Sequence, residues 1–175
     1  MRVLPFSSFA KDLSQGLEIL ENQSHNHPER QHSLRVVFEH SWELLSLQER
    51  HVFRKLSVFQ GGFSKDAALK VADASIGFLA GFIDKSLLRL VNPGRYDRHP
   101  LVYQYSQEKL AENSQEVFAV QDKHSRYFVD LMLLQRQQFN GVNRQSAVRV
   151  IEADWENIRK AWYWLCSQKK IDVLK

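Results

Sequence analysis

The chain has 175 residues, 43% hydrophobic and 25% charged, which is enough to bury a core as one domain or two small ones. Its net charge of +4 and pI near 9.2 permit a nucleic-acid partner without arguing for one. The single cysteine, Cys166, excludes an internal disulfide framework and favours a reducing compartment. The longest apolar run, residues 76–83, is too short to span a bilayer, and the first residues lack a signal-peptide core. A cytoplasmic protein is therefore expected.

The first third of the chain predicts a short helix, a polar linker and two further helices. Apolar residues at spacings of four, four and three predict an amphipathic helix over 8–20. Apart from Pro28, residues 21–32 contain no apolar side chain, which predicts a solvated linker. Ser33 is a good N-cap for the next helix, and Ser46 with Glu49 forms a capping-box pattern that begins another.

The middle of the chain changes from helical to strand periodicity. The predicted elements are a helix through 67–71, a helix over 75–84, a mostly buried strand at 87–91, a partner strand at 96–99 and a helix from 100 to about 112. Between the strands, Pro93 and Gly94 occupy the central positions of a tight turn of type II. Pro100 suits the first turn of a helix. Three helices, a two-stranded hairpin and a closing helix predict a winged-helix domain over 34–112.

The last third of the chain is predicted to be helical. A long helix covers about 115–139 and ends at a turn. Apolar residues over 148–165 then alternate at spacings of three and four, which forms one seam, either on one long helix or on two with a break near Asp154. An antiparallel helical pair is the simplest arrangement. Glu152 and Asp154 fall on the polar side of the seam and are predicted to be solvated.

Several segments carry a family resemblance. The strongest are LRVVFEHSWELLSLQERHVFRKLSVFQGGFS, FIDKSLLRL and YDRHPLVYQYSQEKLAE, followed by RYFVDL and EADWENIRKAWYWL. In this order they resemble the region after the nucleotide-binding domain in bacterial STAND signalling ATPases, which include NB-ARC-like predicted ATPases and transcriptional activators. The resemblance implies a mainly α fold with three parts: a leading helix and linker over 1–33, a winged helix over 34–112, and over 113–175 the start of a TPR-like, superhelical sensor region.

The same resemblance implies a regulatory role. In that family the winged helix packs against the nucleotide-binding domain, and a histidine at the end of the wing strand reaches the β-phosphate of bound ADP. His99 matches this histidine, whereas Arg98 and Pro100 differ from the apolar and acidic residues that flank it in the family. An imidazole N–H can donate to a phosphate oxygen, and protonation is expected to strengthen that bond. The chain is expected to couple the nucleotide state of an upstream domain to a downstream helical sensor, and through it to transcription regulation.

The chain itself is not expected to be an enzyme. It contains no G-x-x-x-x-G-K-[ST] loop, so ADP or ATP is expected to bind an upstream domain of a longer protein, and no cofactor is expected here. No nucleophile motif or metal-ligand spacing stands out. His25, His27 and His32 lie in the predicted linker without cysteine or acidic partners, so no metal site is predicted.

Two alternatives stay open: a transcriptional regulator that binds DNA through the winged helix, and a protein-interaction module. Arg89, Arg95 and Arg98 on the predicted wing, with Lys85 nearby, are candidate contacts to DNA or other phosphates. The helix before the wing, residues 75–84, contains no Arg, Lys, Asn or Gln for base contacts. Sequence-specific recognition of DNA by that helix is therefore not expected.

Overall fold

The structure, a computed structural model, describes residues 28–139 and 143–169. Over these ranges the chain is mainly helical, with eight helices and a small three-stranded antiparallel sheet. In chain order the elements are α1 (Pro28–Glu43), α2 (Leu47–Leu56), β1 (Phe63–Ser64), α3 (Lys65–Ala72), α4 (Ile76–Asp84), β2 (Arg89–Asn92), β3 (Arg95–Asp97), α5 (Pro100–Ala111), α6 (Ser114–Gln138), α7 (Arg144–Ala153) and α8 (Trp155–Ser167). None of the described helices is both long and apolar enough to cross a membrane.

Several helices begin where side chains satisfy the first backbone N–H groups. At α2, the Ser46 hydroxyl accepts the N–H of Glu49 at 3.2 Å, and the Glu49 carboxylate accepts the N–H of Ser46 at 2.8 Å. This confirms the predicted capping box. At α3 and α4 only the serine hydroxyl acts, since Ser64 accepts the N–H of Ala67 and Ser75 that of Phe78. Pro100 lies in the first turn of α5, where its missing N–H leaves no bond unmade.

The sheet has β3 at its centre and the order β1-β3-β2. Tyr96 in β3 lies opposite Phe63 of β1 on one side and opposite Leu90 of β2 on the other. The β2–β3 register shifts between Leu90 and Asn92, where the hairpin turn begins. Gly94 in that turn has a φ of 77°, the left-handed value that the third position of a type II turn requires.

Two strand predictions need correction. The predicted two-stranded hairpin is present, but β1 adds a third strand whose pairing depends on residues more than thirty positions away. The predicted strand at 87–91 was expected to be mostly buried, whereas all four residues of β2 are exposed. Leu87 and Leu88, which supply the apolar start of that run, are buried but precede the strand.

The helical predictions were less accurate at the N-terminus than elsewhere. Helix α1 begins at Pro28 rather than after Ser33, so residues 28–32 are helical instead of forming part of a linker. The predicted helix over 8–20 lies outside the described residues. Near the C-terminus, α7 ends at Ala153 and α8 begins at Trp155, so the apolar seam lies on two helices.

The hydrophobic core is continuous from α1 to α8. Its largest fully buried side chains include Phe53, Phe59, Phe63, Phe82, Phe128, Leu56, Leu79 and Leu165. Phe59 stacks on Phe63 with ring centroids 4.7 Å apart and meets Phe128 of α6 edge-on at 6.4 Å. Each such side chain contributes roughly 1.5–3 kcal/mol by its burial. Helices α6 and α8 therefore pack on the same core as the sheet, which places α8 beside the β2–β3 hairpin.

Candidate functional site

His99 lies between β3 and α5, where it is the N-cap of α5 with extended backbone (φ −63°, ψ 143°). Its Nδ1 accepts the N–H of Leu101 at 3.2 Å. A ring nitrogen that accepts a hydrogen bond carries no proton, so in the neutral ring the proton lies on Nε2. The cap therefore selects the tautomer whose Nε2 is a donor. Protonation of Nδ1 would break this capping bond. That loss opposes the stronger hydrogen bond to phosphate that a protonated ring is expected to make.

The burial of the residues around His99 alternates. Tyr96 and Arg98 are buried, whereas Asp97 and His99 are half-buried. Successive side chains of an extended segment point to opposite sides. The side chains of His99 and Arg98, although adjacent in sequence, therefore point to two different sides of the hairpin.

Two of the three candidate phosphate-binding arginines are already paired. Arg89 donates to Asp97 at 3.0 Å on the exposed face of the hairpin. Arg95 forms an ion pair with Asp154 at 3.0 Å and donates to the carbonyls of Gly62, at 3.1 Å, and Ala153.

Lys85, the lysine near the hairpin, is paired as well. It donates to the Glu49 carboxylate at 2.6 Å, and this hydrogen bond lowers the pKa of Glu49. A phosphate would have to displace an existing partner of Lys85, as it would for Arg89 and Arg95.

Arg98, the third candidate, is not on the surface that DNA would contact. Its side chain is 5% exposed, and its Nη2 donates to the carbonyl of Phe59 at 2.6 Å. The guanidinium lies over the rings of Tyr103 and Phe63, 4.6 and 5.6 Å from their centroids. Burial lowers the pKa of Arg98 to about 10. Arg98 is buried because strand alternation directs its side chain to the same side as Tyr96.

A polar cluster that sequence analysis missed joins the hairpin to α8; we call Arg95, Asp154, Asn157 and the loop 60–62 the hairpin joint. Asn157 accepts the N–H of Gln60 at 2.7 Å and donates to the carbonyl of Gly62 at 3.0 Å. Asp154 is 6% exposed, so the prediction that it is solvated is wrong. Its position at the break between α7 and α8 is the one signal in the sequence that marks it.

His124 and Lys160 lie beside the hairpin joint. The His124 ring is buried against Phe59 and Phe128, and its Nε2 lies 3.4 Å from Oδ1 of Asn157. Burial lowers the pKa of His124 to about 3, so the ring is neutral. Burial, and then the positive charge of Arg98, lower the pKa of Lys160 to about 8.

A second surface feature is an apolar groove of about 560 Å³ between α6 and α8. Its lining includes Phe128, Met132, Leu133, Phe139, Trp162 and Leu165, with Arg136 as its charged member. Trp162 is 52% exposed and Leu133 is 47% exposed. This face of the helical pair is therefore left uncovered within the described residues.

The predicted absence of a metal site is addressed only in part. Within 28–139 and 143–169, no group of three or more His, Cys, Asp or Glu side chains comes together. His25 and His27 lie outside these ranges, and His32 falls within α1.

No family model, curated protein or solved structure matches the chain. The chemistry of the molecule therefore rests on three features described above: the capped His99, the hairpin joint and the buried cations beside it.

Proposed function

We propose that this chain is the regulatory winged-helix module of a STAND-type signal-transduction ATPase. In this interpretation α1–α5 and the sheet form the winged helix, with β2 and β3 as its wing, and α6–α8 begin a TPR-like helical sensor region. The module transmits the nucleotide state of an upstream domain to that sensor and to a transcriptional output. ADP or ATP binds the upstream domain, and His99 contacts the bound nucleotide.

The observation that supports this role is the hydrogen bond from the Leu101 N–H to Nδ1 of His99. It orients the ring at the N-terminus of a twelve-residue helix and makes Nε2 the donor nitrogen. The first turn of a helix favours negative charge, because its N–H groups and dipole point outward there. A contact made only in the ADP-bound closed state biases the switch by its differential free energy.

Protein rather than DNA is the favoured partner of the hairpin. Arg89, Arg95 and Lys85 are already paired with carboxylates, so few cations are left for phosphate contacts. The exposed side chains of β2 include Leu90 and Val91, which are 53% and 52% exposed. Apolar side chains on an exposed hairpin suit a protein surface better than a DNA backbone.

The groove between α6 and α8 supports a helical continuation. An amphipathic helix packs its apolar stripe against a neighbour, and the groove presents such a stripe from both helices. The alternative of a plain protein-interaction module would use this same face, so the groove does not separate the two interpretations. His99 does separate them.

The decisive experiment measures release of fluorescent ADP from a protein that carries this chain together with its nucleotide-binding domain. We expect His99→Ala to accelerate release roughly 10- to 100-fold, because a hydrogen bond to a charged group contributes about 1.5–3 kcal/mol. His99→Asn keeps a capping side chain for α5 but lacks the reach of the ring. It should therefore release ADP as fast as His99→Ala does, while its fold stays as stable as that of the wild type. His40→Ala, at an exposed position of α1, is the matched control.

Unchanged ADP release in both His99 variants would end the sensor proposal. The DNA alternative has its own test, a fluorescence-anisotropy titration of this chain against mixed-sequence duplex DNA at several salt concentrations. Binding at physiological salt with a steep salt slope would favour the transcriptional regulator, because that slope counts the phosphates contacted. Absence of binding would leave the hairpin facing protein.

A further inference from the structure

Arg98 and Lys160 are two neighbouring cations, the first buried and the second half-buried, and neither forms an ion pair with a carboxylate of the described residues. Arg98 lies between β3 and α5, and Lys160 lies on α8 three residues beyond Asn157. Buried charges are normally paired, because removal from water penalises an isolated charge. Against the larger effect of burial, which lowers the pKa of Arg98, the charge of Asp97 raises it only slightly, and the Asp97 carboxylate pairs with Arg89 at 3.0 Å.

The guanidinium of Arg98 has donors that nothing in the described residues accepts. Nη2 reaches the carbonyl of Phe59, but Nε and Nη1 are buried without a hydrogen-bond partner. The Arg98 side chain is 5% exposed, so bulk water does not replace the missing acceptors. Native proteins rarely leave such groups unsatisfied, and each case calls for an explanation.

The polar groups around Arg98 are committed elsewhere. The hydroxyl of Tyr103, whose ring lies under the guanidinium, donates to Gln60 at 2.9 Å and accepts from Gln107 at 2.7 Å. Asn157 is bonded to both ends of the loop 60–62. No acceptor is therefore left for Nε and Nη1 among these neighbours.

Further positive potential comes from α5. Arg98 immediately precedes the N-cap of this twelve-residue helix, whose N-terminus carries partial positive charge. Lys160 is half-buried, so its side of the site is the one open to solvent. A helix N-terminus, a buried guanidinium with unused donors and a partly accessible ammonium together have the chemistry of an anion site.

We propose that Arg98 and Lys160 bind a small phosphate-class oxyanion between the hairpin–α5 junction and α8. An oxyanion supplies several acceptor oxygens and no donor that would oppose these N–H groups. A dianion neutralises both cations, which a chloride ion or a single carboxylate does not. The site is separate from His99, because the two side chains lie on opposite sides of the hairpin, and it does not depend on the function proposed above.

The expected consequence is a bound anion that links α8 to the start of α5. With the site empty, Lys160 and Arg98 repel each other across the packing between these elements. With the site filled, the repulsion becomes attraction, so anion binding stabilises the docking of the helical pair on the sheet. Stabilisation by mass action rises with anion concentration above the dissociation constant.

The test is thermal unfolding of the whole chain in inorganic phosphate against chloride at equal ionic strength near pH 7.5. We expect a saturable rise in Tm for the wild type. Lys160→Met keeps the aliphatic packing and removes one charge, so it should raise Tm in chloride and abolish the saturable phosphate response. Lys123→Met, on α6 at the exposed ion pair with Asp73, should respond to phosphate like the wild type.

Phosphate also stabilises proteins by general exclusion, and the Lys160→Met variant measures that part directly. Isothermal titration calorimetry of the wild type should show one phosphate per chain, and none for Lys160→Met. ADP and AMP, tested in the same way, distinguish a free phosphate from a nucleotide phosphoryl group. Equal phosphate responses in the wild type and Lys160→Met, or a response to ADP with none to phosphate, would overturn the proposal.

Discussion

Arg95 and Arg98 lie three residues apart on the same strand-to-helix segment, and their surroundings are opposite. Arg95 has a carboxylate, two carbonyls and partial exposure to solvent. Arg98 is more deeply buried, has one carbonyl and two aromatic faces, and leaves Nε and Nη1 unused. Both side chains lie close to α8, one beside Asp154 and the other near Lys160.

The difference separates two ways of placing charge inside a protein. The hairpin joint around Arg95 is a closed cluster, because its donors and acceptors bond to one another. Removing one member therefore leaves buried groups without hydrogen bonds. Arg98 and Lys160 form an open cluster, because the two cations repel each other and Nε and Nη1 of Arg98 have no acceptor among the described residues. We expect mutations in the closed cluster to destabilise the fold and mutations in the open cluster to alter its response to charge.

The largest effect is expected from Asn157→Leu, which removes the closed cluster at its centre. The N–H of Gln60 and Nε2 of His124 lose Asn157 as their partner, at about 1–3 kcal/mol for each buried group, and the carbonyl of Gly62 keeps only the bond from Arg95. We expect the free energy of unfolding in urea to fall by about 4 kcal/mol. Glu156→Ala, on the exposed side of the same helix, should cost less than about 0.5 kcal/mol. A loss no larger than that of the control would show that the joint does not hold α8.

The two arginines can be compared directly by the same substitution. Arg95→Met leaves Asp154 buried without a counter-ion, and we expect a loss of about 3 kcal/mol. Arg98→Met replaces an unpaired buried charge by a side chain of similar length, and its cost should stay within about 1 kcal/mol. Urea unfolding of both variants measures the difference. A larger loss for Arg98→Met than for Arg95→Met would reverse the distinction drawn between the clusters.

His124, beside the hairpin joint, makes the stability of the fold depend on pH. Its pKa is about 3 in the folded protein and near 6.5 when unfolded, so below pH 6.5 only the unfolded state takes up the proton. The stability that His124 contributes is present above pH 6.5 and is lost as the pH falls. Between pH 7 and pH 5 this loss should be about 2 kcal/mol. His124→Gln should lack this loss, whereas His51→Gln, at an exposed ring, should retain it.

The smallest predicted effect concerns Lys160 and has the same direction in pH as that of His124, but in the alkaline range. Its pKa falls from an ordinary 10.5 to about 8 on folding, so between these values the unfolded state binds a proton that the folded state does not. Stability should therefore rise between pH 7.5 and pH 9, by about 1 kcal/mol. The raised pKa values of Tyr103, Tyr105 and Tyr127 keep these hydroxyls protonated in this window. A rise of equal size in Lys160→Met would exclude Lys160 as its source.

Local features of the fold were predictable from the sequence. The capping box of Ser46 and Glu49, the first-turn position of Pro100 and the left-handed Gly94 each depend on a few neighbouring residues. β1 was not predictable, because its two residues form a strand only when β3 pairs with them across thirty positions. The start of α1 at Pro28 was missed, because its polar first turn shows no apolar periodicity.

In the candidate site, too, features that depend on neighbouring residues were predictable and those that depend on distant elements were not. The position of His99 before α5 was predictable because it depends on neighbouring residues, and its nucleotide-sensing role stays a prediction. Arg98 was predicted as a candidate phosphate contact on the wing, but it alternates with Asp97 along the segment and is buried on the same side as Tyr96. Asp154 and Asn157 were missed because their partners, Arg95 and residues 60–62, come from elements far away in the chain.

The carbonyl of Gly62 accepts hydrogen bonds from both Arg95 of the hairpin and Asn157 of α8. A side chain at this position requires the backbone to shift, since a Cβ would lie 3.0 Å from the carbonyl oxygen of Tyr96. One peptide group therefore fixes the distance between two elements that have no covalent connection nearby. Because a hydrogen bond weakens steeply within a fraction of an ångström, the hairpin cannot slide gradually along α8. It either stays in register or detaches, which makes its movement a discrete event.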